Sequence, residues 1–243
     1  MDRVHEAEHR RSASSGDVVA MIKALVFDFD GIIIDSESPE FQVWQEVFAE
    51  HGRELSFELW AGLIGRPPTH FDLYSYYQQQ INPTVDIDMF RSERRARVIA
   101  LTEAQPVLPG VHEYLRGAAR MGLKVGLASS SSTDHVRGHL SRLALLGFFH
   151  AIKCFEDTET HKPEPGPYQA VLDELGVAPN EAVAFEDSPN GVTAARAAGI
   201  YCVAVPNPVT SRLLLDHADH RMDSLADEPL EQILARASEA GRT

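Results

Sequence analysis

Two aspartates two residues apart, Asp28 and Asp30, follow directly on the apolar run Ala24, Leu25, Val26, Phe27. Such a run reads as a strand buried on both faces. On an extended backbone, residues i and i+2 point the same way, so the two carboxylates face one small volume. Gly31 then frees the backbone to turn sharply. Adjacent carboxylates repel unless a cation lies between them, which makes a hard metal such as Mg²⁺ the natural third party. The competing reading is that the pair only caps a turn, a common use of aspartate.

Three further polar groups stand in the same relation to apolar runs. Ser129 and Ser130 open a serine run after Leu123 to Ala128, and Glu186 and Asp187 follow Ala182 to Phe185. Lys162 lies in the proline-bounded loop His161 to Pro165, after the run Ala151 to Phe155. The chain has four lysines, Lys23, Lys124, Lys153 and Lys162, and the first three sit at or within these runs. A lone loop cation can offset carboxylates and hold a phosphoryl oxygen as a point charge. Locally, the serines also suit a helix N-cap, and Glu186 to Pro189 suits the start of a proline-initiated helix.

The elements that must position these groups alternate regularly. Strands are expected at Lys23 to Asp28, Leu123 to Ala128, Ala151 to Phe155, Ala182 to Phe185 and Tyr201 to Val205, with helical periodicity between them and a terminal helix at Leu230 to Ala237. That pattern builds an α/β fold with a doubly wound parallel sheet. Ligands of such sheets bind beyond the carboxyl ends of the strands, where all four polar groups fall. Between the first and second strands, about 70 residues read as short helices only. The first of these is expected to start with Ser38 as N-cap and Pro39 at its first position, and to carry Phe41, Trp44 and Phe48. The chain thus divides into a disordered extension (1–20), a core (21–37 and 109–243) and an inserted helical cap (38–108) that acts as a lid.

In this order the motifs resemble those of the haloacid dehalogenase superfamily: Asp28 to Glu37, Ser129, Lys162 with Pro163, and Glu186 to Gly191. The placement of the insert is similar to that of the subfamily containing β-phosphoglucomutase and many sugar-phosphate phosphatases. The resemblance implies strand order 3-2-1-4-5, with Asp28 as nucleophile and Asp30 as general acid and then base. It implies that Asp28, the Asp30 main-chain carbonyl and Asp187 hold Mg²⁺, with Glu186 a ligand or an outer acceptor. Ser129, Ser130 and Lys162 would grip the phosphoryl group, and Glu37 and Arg66 would join in binding substrate. Asp30 argues against dehalogenase chemistry. The absence of any lysine from Ser38 to Leu108 argues against the Schiff-base branch. Glu40 stands where β-phosphoglucomutase has a histidine, which weakens the mutase reading. The expected function is a Mg²⁺-dependent phosphatase acting on a small phosphorylated metabolite, a sugar phosphate above all. A phosphosugar mutase and a non-catalytic phospho-acceptor domain are the alternatives.

Composition agrees with an ordinary globular protein: 243 residues, 44% hydrophobic and 24% charged, with a net charge of −14. That charge argues against nucleic-acid or anionic-membrane partners. Cys154 and Cys202 form no CxxC pair and sit in strand-like runs, as expected of reduced core thiols in a cytoplasmic protein, here taken as a monomer. His217 and His220 lack a third ligand placed by the sequence, so no metal site is expected there.

Overall fold

The computed structural model describes residues 21–61, 72–158 and 160–241. The expected 1–20 extension and Arg66 lie outside these residues. Six parallel strands, β1 (Ala24–Phe27), β2 (Lys124–Ala128), β3 (Ala151–Lys153), β4 (Ala182–Glu186), β5 (Tyr201–Ala204) and β6 (His220–Arg221), form one sheet in the order β3-β2-β1-β4-β5-β6. The expected order of five strands holds, and β6 adds one edge pair to it. Two residues are too few to show any period, which is why β6 leaves no trace in the sequence pattern.

Nine α-helices accompany the strands among the described residues. They are α1 (Glu37–Ala49), α2 (Phe57–Ala61), α3 (Leu73–Gln80), α4 (Ile87–Glu103), α5 (Val111–Met121), α6 (Thr133–Arg142), α7 (Gly166–Leu175), α8 (Pro189–Ala197) and α9 (Leu230–Ala240). α1 starts one residue before the expected Ser38 N-cap, because the Asp35 carboxylate accepts the Ser38 N–H at 2.9 Å. A side-chain acceptor upstream of Ser38 moves the boundary.

The two faces of the sheet differ in side-chain size. One face presents Leu25, Phe27, Leu127 and Phe185 to α5, α6 and α9, and the other presents Ala24, Val26, Ala184 and Ala204 to α7 and α8. The alternation follows from the two-residue period of a strand. The small face lets its helices approach closely. A Cβ on Gly126 of β2 would lie 2.3 Å from Val171 Cγ1 of α7.

Helices α1 to α4 pack on a separate aromatic cluster that includes Trp44, Phe48, Trp60 and Tyr77, with Phe41, Phe57, Tyr74 and Phe90 against it. Tyr77 and Phe90 stack at 4.5 Å between centroids. Tyr74 and Tyr77 therefore serve as packing residues. Entry to and return from these helices are tied together where the Leu108 N–H donates to the Ile33 carbonyl at 3.0 Å.

Phe27 pairs with Leu127 on one side and Phe185 on the other, so three strands end level with one another. Residues 28, 129 and 186 thereby reach the same edge of the sheet. Gly126→Ala should destabilise the fold by about 1–3 kcal/mol through overpacking against Val171, read as a lowered denaturation midpoint with an unchanged slope.

Candidate active site

Asp28, the first residue beyond β1, is fixed by its own backbone: its N–H donates to the Phe185 carbonyl at 3.0 Å. Lys162 Nζ donates to Asp28 Oδ1 at 2.6 Å and to Glu186 Oε1 at 2.5 Å. All three side chains are nearly or fully buried. Tyr168, on the first turns of α7, donates its hydroxyl to the same Glu186 oxygen. Asp187 completes the group, and Asp28, Glu186 and Asp187 can each turn one oxygen to within 4.8 Å of the others.

The charges in this cluster do not balance. Three carboxylates share one ammonium in a largely buried site. Burial, and then the Glu186 charge, push the Asp28 carboxyl up to about 8 even though Lys162 opposes them. Burial, followed by Asp28, Glu186 and Glu37, raises Asp187 well above the usual carboxylate range. Burial alone would lower the Lys162 ammonium, but Asp28 and Glu186 outweigh it and raise it. The chain supplies negative charge that it does not itself neutralise. An all-oxygen donor set with that excess fits a hard divalent cation such as Mg²⁺.

Asp30 sits in a different environment. Ser36 Oγ donates to its Oδ1 at 2.7 Å, Ser131 Oγ to its Oδ2 at 2.5 Å, and His135 Nε2 lies 3.2 Å from Oδ1. Burial would raise this carboxyl, yet the hydrogen bonds from His135, Ser131 and Ser36 hold it below the ordinary value. Two aspartates two residues apart are thus pushed in opposite directions, Asp28 toward its protonated form and Asp30 toward its ionised form, so that in the metal-free site the negative charge rests on Asp30.

The other residues singled out in the sequence fall as follows. Ser129 is buried at the end of β2, and its hydroxyl accepts the Ser131 N–H at 3.0 Å. Ser130 is exposed, so it is Ser131 that turns inward to Asp30. Ser132 caps α6, and the serine run therefore serves both the site and the helix. Glu37 opens α1, and its carboxyl is pushed up to about 7 by burial, then by Asp30, Glu40 and Asp35. Arg94 of α4 is buried inside the helical insert. It is 8% exposed, bonds Glu40 and the Tyr74 hydroxyl, and lies 4.9 Å from the Trp44 ring centroid.

Ser36, Ser131, His135, Tyr168, Asn207 and Thr210 were not singled out by the sequence pattern, yet all contact the carboxylates. Ser36 and Ser131 lie inside the motifs and were within reach of an i+2 argument. The other four come from helix or loop positions that only the folded chain brings near.

A family model described as "Haloacid dehalogenase-like hydrolase" matches residues 25–205, a span that contains every motif residue. The chain belongs to this family. One relative, "Putative phosphatase YhcW" of Bacillus subtilis, is 43% identical over 88% of this chain and 97% of its own length. Hexitol phosphatase B of Escherichia coli is 34% identical, again over 88% of this chain and 97% of its own. Among solved structures, CbbY from Rhodobacter sphaeroides in complex with phosphate superposes with a TM-score of 0.65 at 27% identity, covering 85% of this chain and 96% of that one. Family membership and the fold are thus established together.

The charge excess makes metal-free stability depend on pH. Asp28 and Glu37 hold protons in the folded protein up to about 8 and about 7, while their unfolded counterparts ionise near 4. Folding takes up protons in this window, so stability falls as pH rises from about 4 to about 8. Thermal melts in chelator should show that decline, and saturating Mg²⁺ should flatten it. Equal slopes with and without Mg²⁺ would remove the cation from this site.

Proposed function

We propose that the chain is a Mg²⁺-dependent phosphatase that hydrolyses a small phosphorylated metabolite, with a sugar phosphate as the expected class, through an aspartyl phosphate on Asp28. The observation that carries this reading is the cluster of Asp28, Lys162, Glu186 and Asp187 at the end of the central strand, with Asp30 two residues beyond Asp28. The names of the relatives, including the hexitol phosphatase, support the choice of substrate class. In this reading residues 38–108 work as a cap over the strand ends.

In the first half-reaction a carboxylate oxygen of Asp28 attacks phosphorus while the bond to the leaving oxygen breaks. Asp30, ionised in the free protein, first takes up a proton as substrate binds and then passes it to that oxygen. In the second, Asp30 takes a proton from water, the resulting hydroxide attacks phosphorus, and Asp28 is released with inorganic phosphate. Lys162 opposes the protonation of Asp28 that burial favours and faces the transferring group with a fixed positive charge, and Ser129 lies ready to donate to a phosphoryl oxygen. Bound Mg²⁺ would be held by Asp28, Asp187 and the Asp30 main-chain carbonyl, with Glu186 nearby, and would supply Lewis-acid neutralisation of the phosphoryl charge. Glu186 is already engaged by Lys162 and Tyr168, which favours its outer role.

Asp28→Asn should keep the fold and lose essentially all phosphate release across a panel of sugar and polyol phosphates, because an amide is a poor nucleophile. Near-native turnover in that variant would end the assignment. Lys162→Ala should cost about 2–5 kcal/mol in kcat/KM, the scale of removing one member of a buried charge pair. For β-glucose 1-phosphate with catalytic 1,6-bisphosphate, the expected product is phosphate or none; glucose 6-phosphate without free phosphate would establish a mutase instead.

A further inference from the structure

The loop after β5 contributes two fully or nearly buried polar residues to the site, Asn207 and Thr210, 5% and 0% exposed. Asn207 Nδ2 donates to Asp187 Oδ2 at 2.7 Å. Its Oδ1 accepts the N–H groups of Val209 at 2.8 Å and Thr210 at 2.9 Å. Two backbone donors on one side fix which end of the amide is oxygen, so the NH₂ group must face Asp187. Thr210 Oγ1 accepts the Asn207 N–H at 3.0 Å and lies 3.4 Å from the same Asp187 oxygen. One oxygen of Asp187 is thereby held by the loop, and the plane of the carboxylate with it.

The same loop reaches the helical insert. Val209 is buried within the aromatic cluster that contains Trp44 and Trp60. The Arg212 guanidinium lies 4.5 Å from the centroid of the Phe57 ring. Seven residues, 206–212, therefore touch the metal-binding carboxylate at one end and the insert at the other.

We infer that Asn207 is a positioning residue for Asp187, and that its loop is a strut linking occupancy of the metal site to the seating of the insert. The inference rests on the metal reading above and goes beyond it, since Asn207 itself touches neither metal nor substrate. Hydrogen bonds that orient a ligating carboxylate typically account for 10- to 100-fold in metal affinity.

The test is calorimetric titration of Mg²⁺ into chelator-treated full-length protein, followed in parallel by tryptophan emission. The chain has two tryptophans, and both lie in the cluster that holds Val209. Asn207→Ala should bind Mg²⁺ about 10- to 100-fold more weakly. Native protein should shift its emission at the same Mg²⁺ concentration that saturates the heat signal, and Val209→Ala should lose the shift while still binding Mg²⁺. A folded Asn207→Ala with native affinity overturns the positioning role. Should that variant fail to fold, Thr210→Val is titrated in its place, and native affinity there overturns the role equally. Native protein that binds Mg²⁺ with no change in emission overturns the strut. Asp187→Asn serves as the control: weakened binding there keeps the metal reading intact when Asn207→Ala fails, whereas native binding overturns both.

Discussion

The structure depends on one electrostatic constraint: three carboxylates and one ammonium are largely buried together at the end of the central strand. Desolvated charge of one sign is expensive, and removing one partner from such a group typically costs about 3–5 kcal/mol. Everything around the cluster is fitted to it. A Cβ on Gly191 would come within 1.8 Å of Glu186 Oε2, and one on Gly31, at φ 81°, within 2.2 Å of Asp187 Oδ2. Neither position has room for a side chain. The backbone closes on the carboxylates so tightly that their orientation is set by packing as much as by hydrogen bonds.

The same constraint explains the asymmetry of the sheet. β1 lies between β2 and β4, which brings Asp28 level with the strand ends that carry Ser129 on one side and Glu186 on the other. The helix that carries Tyr168 packs on the small-residue face, close to the sheet. Its hydroxyl reaches Glu186 from there. A bulkier face would lift α7 and leave Glu186 with one fewer donor, so the alanines and Gly126 are linked to the chemistry through helix height.

Legibility from sequence followed the range of the interactions. The strands and the positions of Asp28, Asp30, Ser129, Glu186 and Asp187 at their ends, with Lys162 in the loop after the third, rest on local periods visible in a linear chain, whereas the strand order follows from the family resemblance and not from any period. His135 reaches Asp30 across 105 positions, and Asn207 reaches Asp187 across 20. No local pattern marks either. Ser130, expected to grip a phosphoryl oxygen beside Ser129, has an exposed side chain, and it is Ser131 that meets Asp30. α1 starts at Glu37, ahead of the expected Ser38 cap, where the Asp35 carboxylate accepts the Ser38 N–H from outside the helix.

Glu40 shows how the insert and the core are made to depend on each other. It stands on α1, in the position where the mutase resemblance would ask for a histidine, and its carboxylate is engaged by Arg94 of α4. Arg94 is in turn bonded to Tyr74 of α3 and packed on Trp44 of α1. A histidine gating Asp30 has to be free to move with the proton it controls, whereas a carboxylate paired to a buried guanidinium is fixed. The residue next to the site is thus part of the framework of the insert. Charge repulsion from Glu40 and Asp30 contributes to raising the carboxyl of Glu37, whose own burial is the larger cause. Chemistry at the strand ends and shape in the helices meet at this one turn of α1, between Glu37 and Glu40.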